Sequence, residues 1–114
     1  MAEMTTTGTW LVDERKQAAF LEAWVAFAGW ASSVDGAGTL RLGRAGRDPG
    51  QFVSFGAWQS AELAHAWKAH PEFQERIASV LQHVDQFLPT ELEVVATASD
   101  GRAALSPLSV ARTS

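Results

Sequence analysis

The sequence predicts an α+β domain, a ferredoxin-like split βαβ sandwich in which helices cover one face of an antiparallel sheet. Its 114 residues suit one domain, and 46% hydrophobic with 19% charged residues is typical of a globular chain. Apolar residues alternate along the predicted strands and recur at helical spacing in the segments between them. In chain order these segments give strand, helix, strand, strand, helix pair and strand.

The first strand and the first helix are predicted near the N-terminus. Residues 5–12 mix threonines with bulky apolar residues, which favours a strand. Asp13 and Glu14 provide an N-cap and a negative first turn for a helix over residues 16–32. The turn-forming residues 32–38 end this helix. Its apolar stripe consists of Phe20, Leu21, Trp24, Phe27, Ala28 and Ala31.

A β-hairpin is predicted in the middle of the chain. Residues 39–43 alternate in polarity, and residues 51–58 carry apolar groups on both faces. The loop between them contains a turn at residues 48–50. On the second strand, Phe52 and Trp58 point to one side, whereas Val53 and Phe55 point to the other.

A pair of helices follows the hairpin. Ser60 predicts the N-cap of a short helix over residues 61–69. Pro71 suits the first position of the next helix, where its missing N–H costs nothing. An apolar stripe predicts that this helix covers residues 71–88, because Pro89 then stops it.

The last strand is predicted over residues 91–97, where polarity alternates again. We assign residues 1–97 to the folded domain. Residues 98–114 are small, polar and Pro-containing, which is typical of a flexible C-terminal tail.

The predicted sheet is apolar on both faces, although helices cover only one. An open apolar face of this size marks an interface. We therefore expect a homodimer that packs sheet face against sheet face. The residues behind this expectation are Phe52, Val53, Phe55, Trp58, Val94 and Val95.

Composition excludes several classes of function. A net charge of −4 with no basic cluster argues against nucleic acid and anionic membranes as partners. The absence of Cys excludes disulfides, thiolate zinc sites and Cys nucleophiles. No metal site is predicted, because His65 and His83 lack carboxylates at ligand spacing. The longest apolar run, residues 23–31, is too short to span a bilayer, and the polar N-terminus does not resemble a signal peptide. We expect a cytoplasmic protein.

Trp67 is the first candidate for a binding residue. It shares a helix face with Leu63 and His70, at spacings of four and three residues. Trp67 either stacks on an aromatic ligand or fills the core. His70 either accepts a proton from a phenol or caps the helix that begins at Pro71.

Two stretches carry a resemblance to a known family. Trp58-Gln59-Ser60 ends a strand, and Ala66-Trp67-Lys68-Ala69-His70-Pro71-Glu72-Phe73 joins the two helices. Over about residues 5–97 the sequence resembles the antibiotic biosynthesis monooxygenase family. The resemblance implies a dimeric α+β barrel, with Trp67 lining the pocket.

The resemblance also implies a choice of activities. Members of the family oxidise anthrone-type phenols to quinones with O2 and no flavin, metal or haem, whereas others degrade haem or handle small quinones. The haem-degrading branch uses an Asn and an iron-binding His. This chain contains no Asn and has Ile77 at the position of that His, so haem degradation is not expected.

Our first hypothesis is a cofactor-independent monooxygenase that acts on an aromatic polyketide or another phenolic metabolite. Trp67 orients the aromatic ring and His70 accepts the phenolic proton, with no cofactor and no metal. Two alternatives use the same fold: a non-catalytic small-molecule-binding or assembly module, and a polyketide cyclase or isomerase. The predicted substrate-binding residues are Trp24, Phe27, Leu63, Phe73 and Ile77.

Overall fold

The computed structural model describes residues 3–105. Its helices and strands, in chain order, are β1 (Met4–Leu11), α1 (Gln17–Ala31), β2 (Ala37–Arg44), β3 (Gln51–Trp58), α2 (Ala61–Ala69), α3 (Pro71–Leu81), β4 (Gln86–Glu93), β5 (Ala96–Ser99) and β6 (Arg102–Leu105). A 3₁₀ turn, Glu14–Lys16, leads into α1.

The first four strands form one antiparallel sheet in the order β2-β3-β1-β4. β1 is central: Met4 lies opposite Trp58 on β3 and opposite Glu93 on β4. The helices pack on one side of this sheet, which we call the inner face, and leave the outer face uncovered. This arrangement confirms the predicted α+β ferredoxin-like fold.

Alternation along the strands decides which side chains fill the core. Trp10 lies opposite Phe52 in the register, and both are buried on the inner face. Phe20 of α1 packs against both rings, with centroids 5.6 Å from Trp10 and 5.1 Å from Phe52. Each ring buried in this way contributes about 1.5–3 kcal/mol. Trp24 and Phe27 continue the buried stripe of α1.

The helix starts follow from their capping residues. Asp13 caps the 3₁₀ turn, where its carboxylate accepts the Arg15 N–H at 2.9 Å. Ser60 caps α2 as predicted, because its hydroxyl accepts the Leu63 N–H at 3.2 Å. Pro71 is the first residue of α3, also as predicted. None of the helices within residues 3–105 is long and apolar enough to cross a membrane.

The last helix and the fourth strand differ from the prediction. The helix predicted over residues 71–88 is too long, because α3 ends at Leu81. The strand predicted over residues 91–97 is displaced, because β4 covers Gln86–Glu93.

Pairing with β1 explains both differences. Val84 and Leu88 continue the helical spacing of α3. Pro89, however, disfavours helical backbone at Leu88, the residue before it. The Asp85 N–H donates to the Leu11 carbonyl at 2.8 Å, which starts β4 beside β1. Pro89 is tolerated inside β4 because this strand is an edge of the sheet.

A second, two-stranded sheet follows β4. β5 and β6 pair across a turn in which Asp100 has φ 54° and Gly101 has φ 76°. Positive φ at both central residues is the geometry of a tight hairpin turn. This hairpin runs across residue 97, the predicted end of the domain. Residues 106–114 of the predicted tail lie outside the described residues.

Candidate functional site

A cavity of about 280 Å³ lies between the helices and the inner face of the sheet. All three helices and all four strands of the main sheet contribute residues to its walls. Seven of the lining residues are aromatic: Trp10, Trp24, Phe27, Phe55, Trp67, Phe73 and Phe87. Such a cavity favours a flat apolar ligand.

Five of the seven predicted site residues line this cavity. They come from three different helices; four were assigned from apolar stripes, and Trp67 from the resemblance to the family. These residues are Trp24, Phe27, Trp67, Phe73 and Ile77.

Leu63 and His70 lie outside the lining. Leu63 packs at the turn before β2, where a Cβ on Gly36 would lie 2.6 Å from Leu63 Cδ1. His70 caps α3, because its Nδ1 accepts the Glu72 N–H at 3.1 Å. The His70 ring also packs edge-on to Trp30, with centroids 5.4 Å apart. The geometry therefore gives His70 the capping position that the sequence analysis held as the alternative to proton transfer.

Trp67 is held in place by rings on several sides. Its ring stacks on Trp58 with centroids 4.7 Å apart. Phe73 meets it edge-on at 4.9 Å, and Phe27 is tilted against it at 5.9 Å. Aromatic pairs at these separations are favourable, so the orientation of the indole is fixed before any ligand binds.

The indole N–H groups of Trp10, Trp58 and Trp67 differ in their hydrogen-bond partners. Trp10 Nε1 donates to Ser54 Oγ at 2.9 Å, and Trp58 Nε1 donates to Thr6 Oγ1 at 3.2 Å. Trp67 Nε1 is buried and has no acceptor among residues 3–105. A buried donor without a partner costs about 1–3 kcal/mol. Trp67 therefore combines a buried, unpartnered donor with a place in the wall of the cavity.

One charged residue, Lys68, is found among the described residues that line the cavity. Lys68 Nζ lies 3.1 Å from Glu91 Oε2, and His65 Nε2 lies 3.0 Å from Glu91 Oε1. The hydrogen bond from His65, followed by that from Lys68, holds the pKa of the Glu91 carboxyl below its ordinary value. The carboxylate is therefore ionised at neutral pH and links α2 to β4.

No three His, Asp or Glu side chains within the described range 3–105 are grouped so that they could hold a metal ion. His65 is engaged with Glu91, and His83 is half-buried just beyond α3.

Residues 4–79 match the family model of the antibiotic biosynthesis monooxygenases. The chain belongs to this family. None of the curated proteins matches it in sequence.

Solved structures share the fold of this monooxygenase-family protein at low sequence identity. SnoaB, a cofactor-independent oxygenase from Streptomyces nogalater, has a TM-score of 0.72 at 16% identity, covering 88% of this chain and 96% of SnoaB. A conserved protein from Methanosarcina mazei Go1 has a TM-score of 0.73 at 11% identity, covering 81% and 92%. Rv0793 from Mycobacterium tuberculosis has a TM-score of 0.69 at 15% identity, covering 80% and 93%.

Several residues of the site in this family member escaped the sequence analysis. Phe87, which stacks on Trp10 at 4.0 Å, fell within the helix that was predicted too long. Thr6 and Ser54 have no apolar signal, and their roles depend on the register between β1 and β3. Lys68 is adjacent to Trp67 in sequence, so its place near the pocket could have been predicted. Its ion pair with Glu91 on β4 could not, because it depends on the position of β4.

Proposed function

We propose that this protein is a cofactor-independent monooxygenase that oxidises an aromatic polyketide or another small phenolic metabolite with O2. One observation carries the proposal: a buried, unpartnered indole N–H, that of Trp67, belongs to a residue lining a cavity walled by aromatic rings. Family membership supports the type of reaction. SnoaB, which shares the fold, is itself a cofactor-independent oxygenase.

The size of the cavity limits the substrate. An engineered cavity of about 150 Å³ holds one benzene molecule. The cavity here measures about 280 Å³. It therefore suits a flat molecule of two or three fused rings and no long substituent.

Trp67 has the central role in positioning the substrate. A phenol or ketone oxygen that accepts the Trp67 N–H removes the cost of an unpaired donor, and this gain comes only when the ring system lies in the cavity. The hydroxyls of Thr6 and Ser54 each accept an indole N–H and keep their own hydrogen, which can serve a second ligand oxygen.

The reaction needs no external reductant. An anthrone-type CH2 group loses two hydrogens and becomes C=O; one atom of O2 enters the product and the other leaves in water. The ionised, electron-rich substrate supplies the electrons to O2. The protein excludes bulk water and fixes the ring, which are the contributions that its apolar cavity is suited to make. We give His70 the capping role that its geometry supports.

The proposal includes a homodimer formed through the outer face. Phe55, Leu88 and Leu92 all point to this face and are 44%, 52% and 49% exposed. Threonines 5, 7 and 9 of β1 lie between them in the register. Exposed apolar side chains grouped on one sheet face favour burial against another such face.

Oxygen uptake with the anthrone-type phenol dithranol, in the presence of chelator and with autoxidation subtracted, tests the function. We expect protein-dependent uptake and one labelled oxygen in the quinone when 18O2 is supplied. Trp67→Phe should lower this uptake. Trp30→Phe is the matched control, because Trp30 lies outside the lining. Binding of the phenol without uptake would instead support a binding module, and a product that gains no oxygen would support a cyclase or isomerase.

A further inference from the structure

The cavity carries a positive charge at one point of an otherwise uncharged lining. Among the sixteen residues of the described range 3–105 that line it, Lys68 is the one with a charged side chain. This side chain is 32% exposed, so it lies at the rim, between the apolar interior and solvent. An ammonium at such a boundary attracts an anion more strongly than one in free solution, because the surrounding dielectric is lower.

In the structure, the Lys68 ammonium is paired with Glu91. Its carboxylate lies 3.1 Å from Lys68 Nζ, and its position in β4 is directly opposite Thr6, which lines the cavity. His65 binds the other carboxylate oxygen at 3.0 Å. Glu91 is therefore held beside the rim from two sides, where a ligand anion would meet Lys68.

We propose that the cavity takes an aromatic anion, an arene with one ionised oxygen, and that Lys68 is its counter-ion in competition with Glu91. The inference rests on the proposed function for the aromatic character of the ligand. It goes beyond that function by naming the residue that selects an ionised ligand over a neutral one and the residue that competes with it.

The donors of Lys68 and Trp67 explain how such a ligand is read. The ammonium has three N–H groups, of which Glu91 takes one, so a ligand oxygen can use another. Trp67, the residue before Lys68, supplies a neutral donor, its indole N–H. Glu91 weakens the binding of any anion, because its charge repels the ligand and its oxygen competes for the same ammonium.

This competition separates the proposal from a purely structural role. If the Lys68–Glu91 pair only fastens α2 to β4, loss of either partner has the same effect on a ligand. If Lys68 is the counter-ion, loss of Lys68 weakens anion binding, whereas loss of Glu91 strengthens it.

The test compares two probes of the same shape, the naphthoate anion and neutral naphthamide, by quenching of tryptophan fluorescence without oxygen. We expect wild-type protein to prefer naphthoate by about fivefold, the size of a partly exposed ion pair. Lys68→Met should abolish this preference, Lys68→Arg should keep it, and Glu91→Gln should raise the naphthoate affinity by a similar factor. Naphthamide affinity should stay constant throughout and so reports an intact cavity.

Lys16→Met is the matched control, because Lys16 pairs with Asp85 at 3.0 Å and does not line the cavity. High salt should weaken naphthoate binding to the wild-type protein and leave naphthamide unaffected, a readout that needs no variant. The proposal is overturned if Lys68→Met keeps the preference, if Glu91→Gln weakens naphthoate, or if neither probe binds. Failure of oxygen uptake with the preference intact would refute only the oxygenase function.

Discussion

Trp58 and Trp67 stack with ring centroids 4.7 Å apart and ring planes 27° apart, across the corner between β3 and α2. The Trp58 N–H donates to Thr6 Oγ1, which fixes this ring to the sheet. The Trp67 N–H is buried and has no acceptor within residues 3–105. One contact thus joins a tryptophan anchored in the core to a tryptophan that retains a free donor.

Substitution of each tryptophan by phenylalanine separates these two roles. Trp67→Phe keeps an aromatic ring but removes the unpaired donor, so lost packing and relief of the buried N–H oppose each other and stability should stay within about 1 kcal/mol of wild type. Turnover of dithranol should fall by about tenfold or more, the value of one hydrogen bond to a reacting molecule.

Trp58→Phe should give the opposite pattern. It removes a satisfied hydrogen bond to Thr6 and costs about 1 kcal/mol or more in urea unfolding, with turnover largely kept. Turnover that survives in Trp67→Phe would remove Trp67 from the mechanism.

His70→Asn tests whether His70 caps a helix or transfers a proton. Asn is a strong N-cap residue, so this variant should keep both stability and turnover, whereas His70→Ala should lose about 1 kcal/mol of stability. Thermal unfolding and oxygen uptake measure the two effects. If His70→Asn is as stable as wild type but inactive, His70 acts on the substrate and its placement as a cap is incomplete.

The helix walls of the cavity were predictable from sequence, and its sheet floor was not. Trp24, Phe27 and Ile77 lie on apolar stripes whose spacing is local, so their inward direction follows from the sequence. Thr6 comes beside Glu91 only through the register of β1 and β4, which joins residues 85 positions apart. No local pattern carries that information.

The error at β4 has a related cause. The segment 82–88 continues the helical spacing of α3, and this local signal competes with pairing to β1, which the sequence does not display. Phe87 on the inner face and Leu88 on the outer face fit strand alternation equally well. The sequence supports both a helical and a strand periodicity here, and pairing with β1 selects the strand. The residues that β4 contributes to the floor of the site depend on this selection.

The ion pair at Glu91 predicts a pH-dependent stability. Its hydrogen bonds lower the folded-state pKa of Glu91, so the stabilisation is present above the ordinary glutamate value of about 4.3 and is lost as pH falls through the lower folded-state pKa. For a pair one-third exposed we expect about 0.5 kcal/mol. Urea unfolding should show Glu91→Gln less stable than wild type at neutral pH and equal to it in acid.

Glu75→Gln is the control for this prediction, because Glu75 lies exposed on α3 and forms no ion pair among the described side chains. It should leave the pH dependence of stability unchanged. A difference between Glu91→Gln and wild type that persists below the folded-state pKa would show that the carboxylate charge is not its source.

A lysine on the outer face should break the proposed dimer. Leu88→Lys places a charge among apolar side chains that a sheet-to-sheet contact would desolvate. Sedimentation should show a dimer for the wild-type chain and a folded monomer for this variant. Val25→Lys, on the exposed side of α1, should remain dimeric. A wild-type monomer at micromolar concentration would contradict the dimer.

Gly56 should set the depth of the cavity. Its φ is not positive, so the backbone does not require glycine there. The limited space around residue 56 favours glycine instead. A Cβ there would lie 3.1 Å from Leu40 Cγ and 3.4 Å from Thr6 Oγ1, both on lining residues. Gly56→Ala therefore adds a methyl group to the floor and should weaken a three-ring ligand about tenfold, with a stability cost of about 1–3 kcal/mol.

A single-ring phenol should bind Gly56→Ala and wild type alike, because it does not need the full depth of the cavity. Gly29→Ala on α1, where a Cβ meets nothing within 4 Å, should change neither affinity. Equal weakening of one-ring and three-ring ligands in Gly56→Ala would indicate a general distortion of the sheet. Selective loss of the larger ligand would identify the missing side chain at residue 56 as the feature that admits a fused-ring substrate.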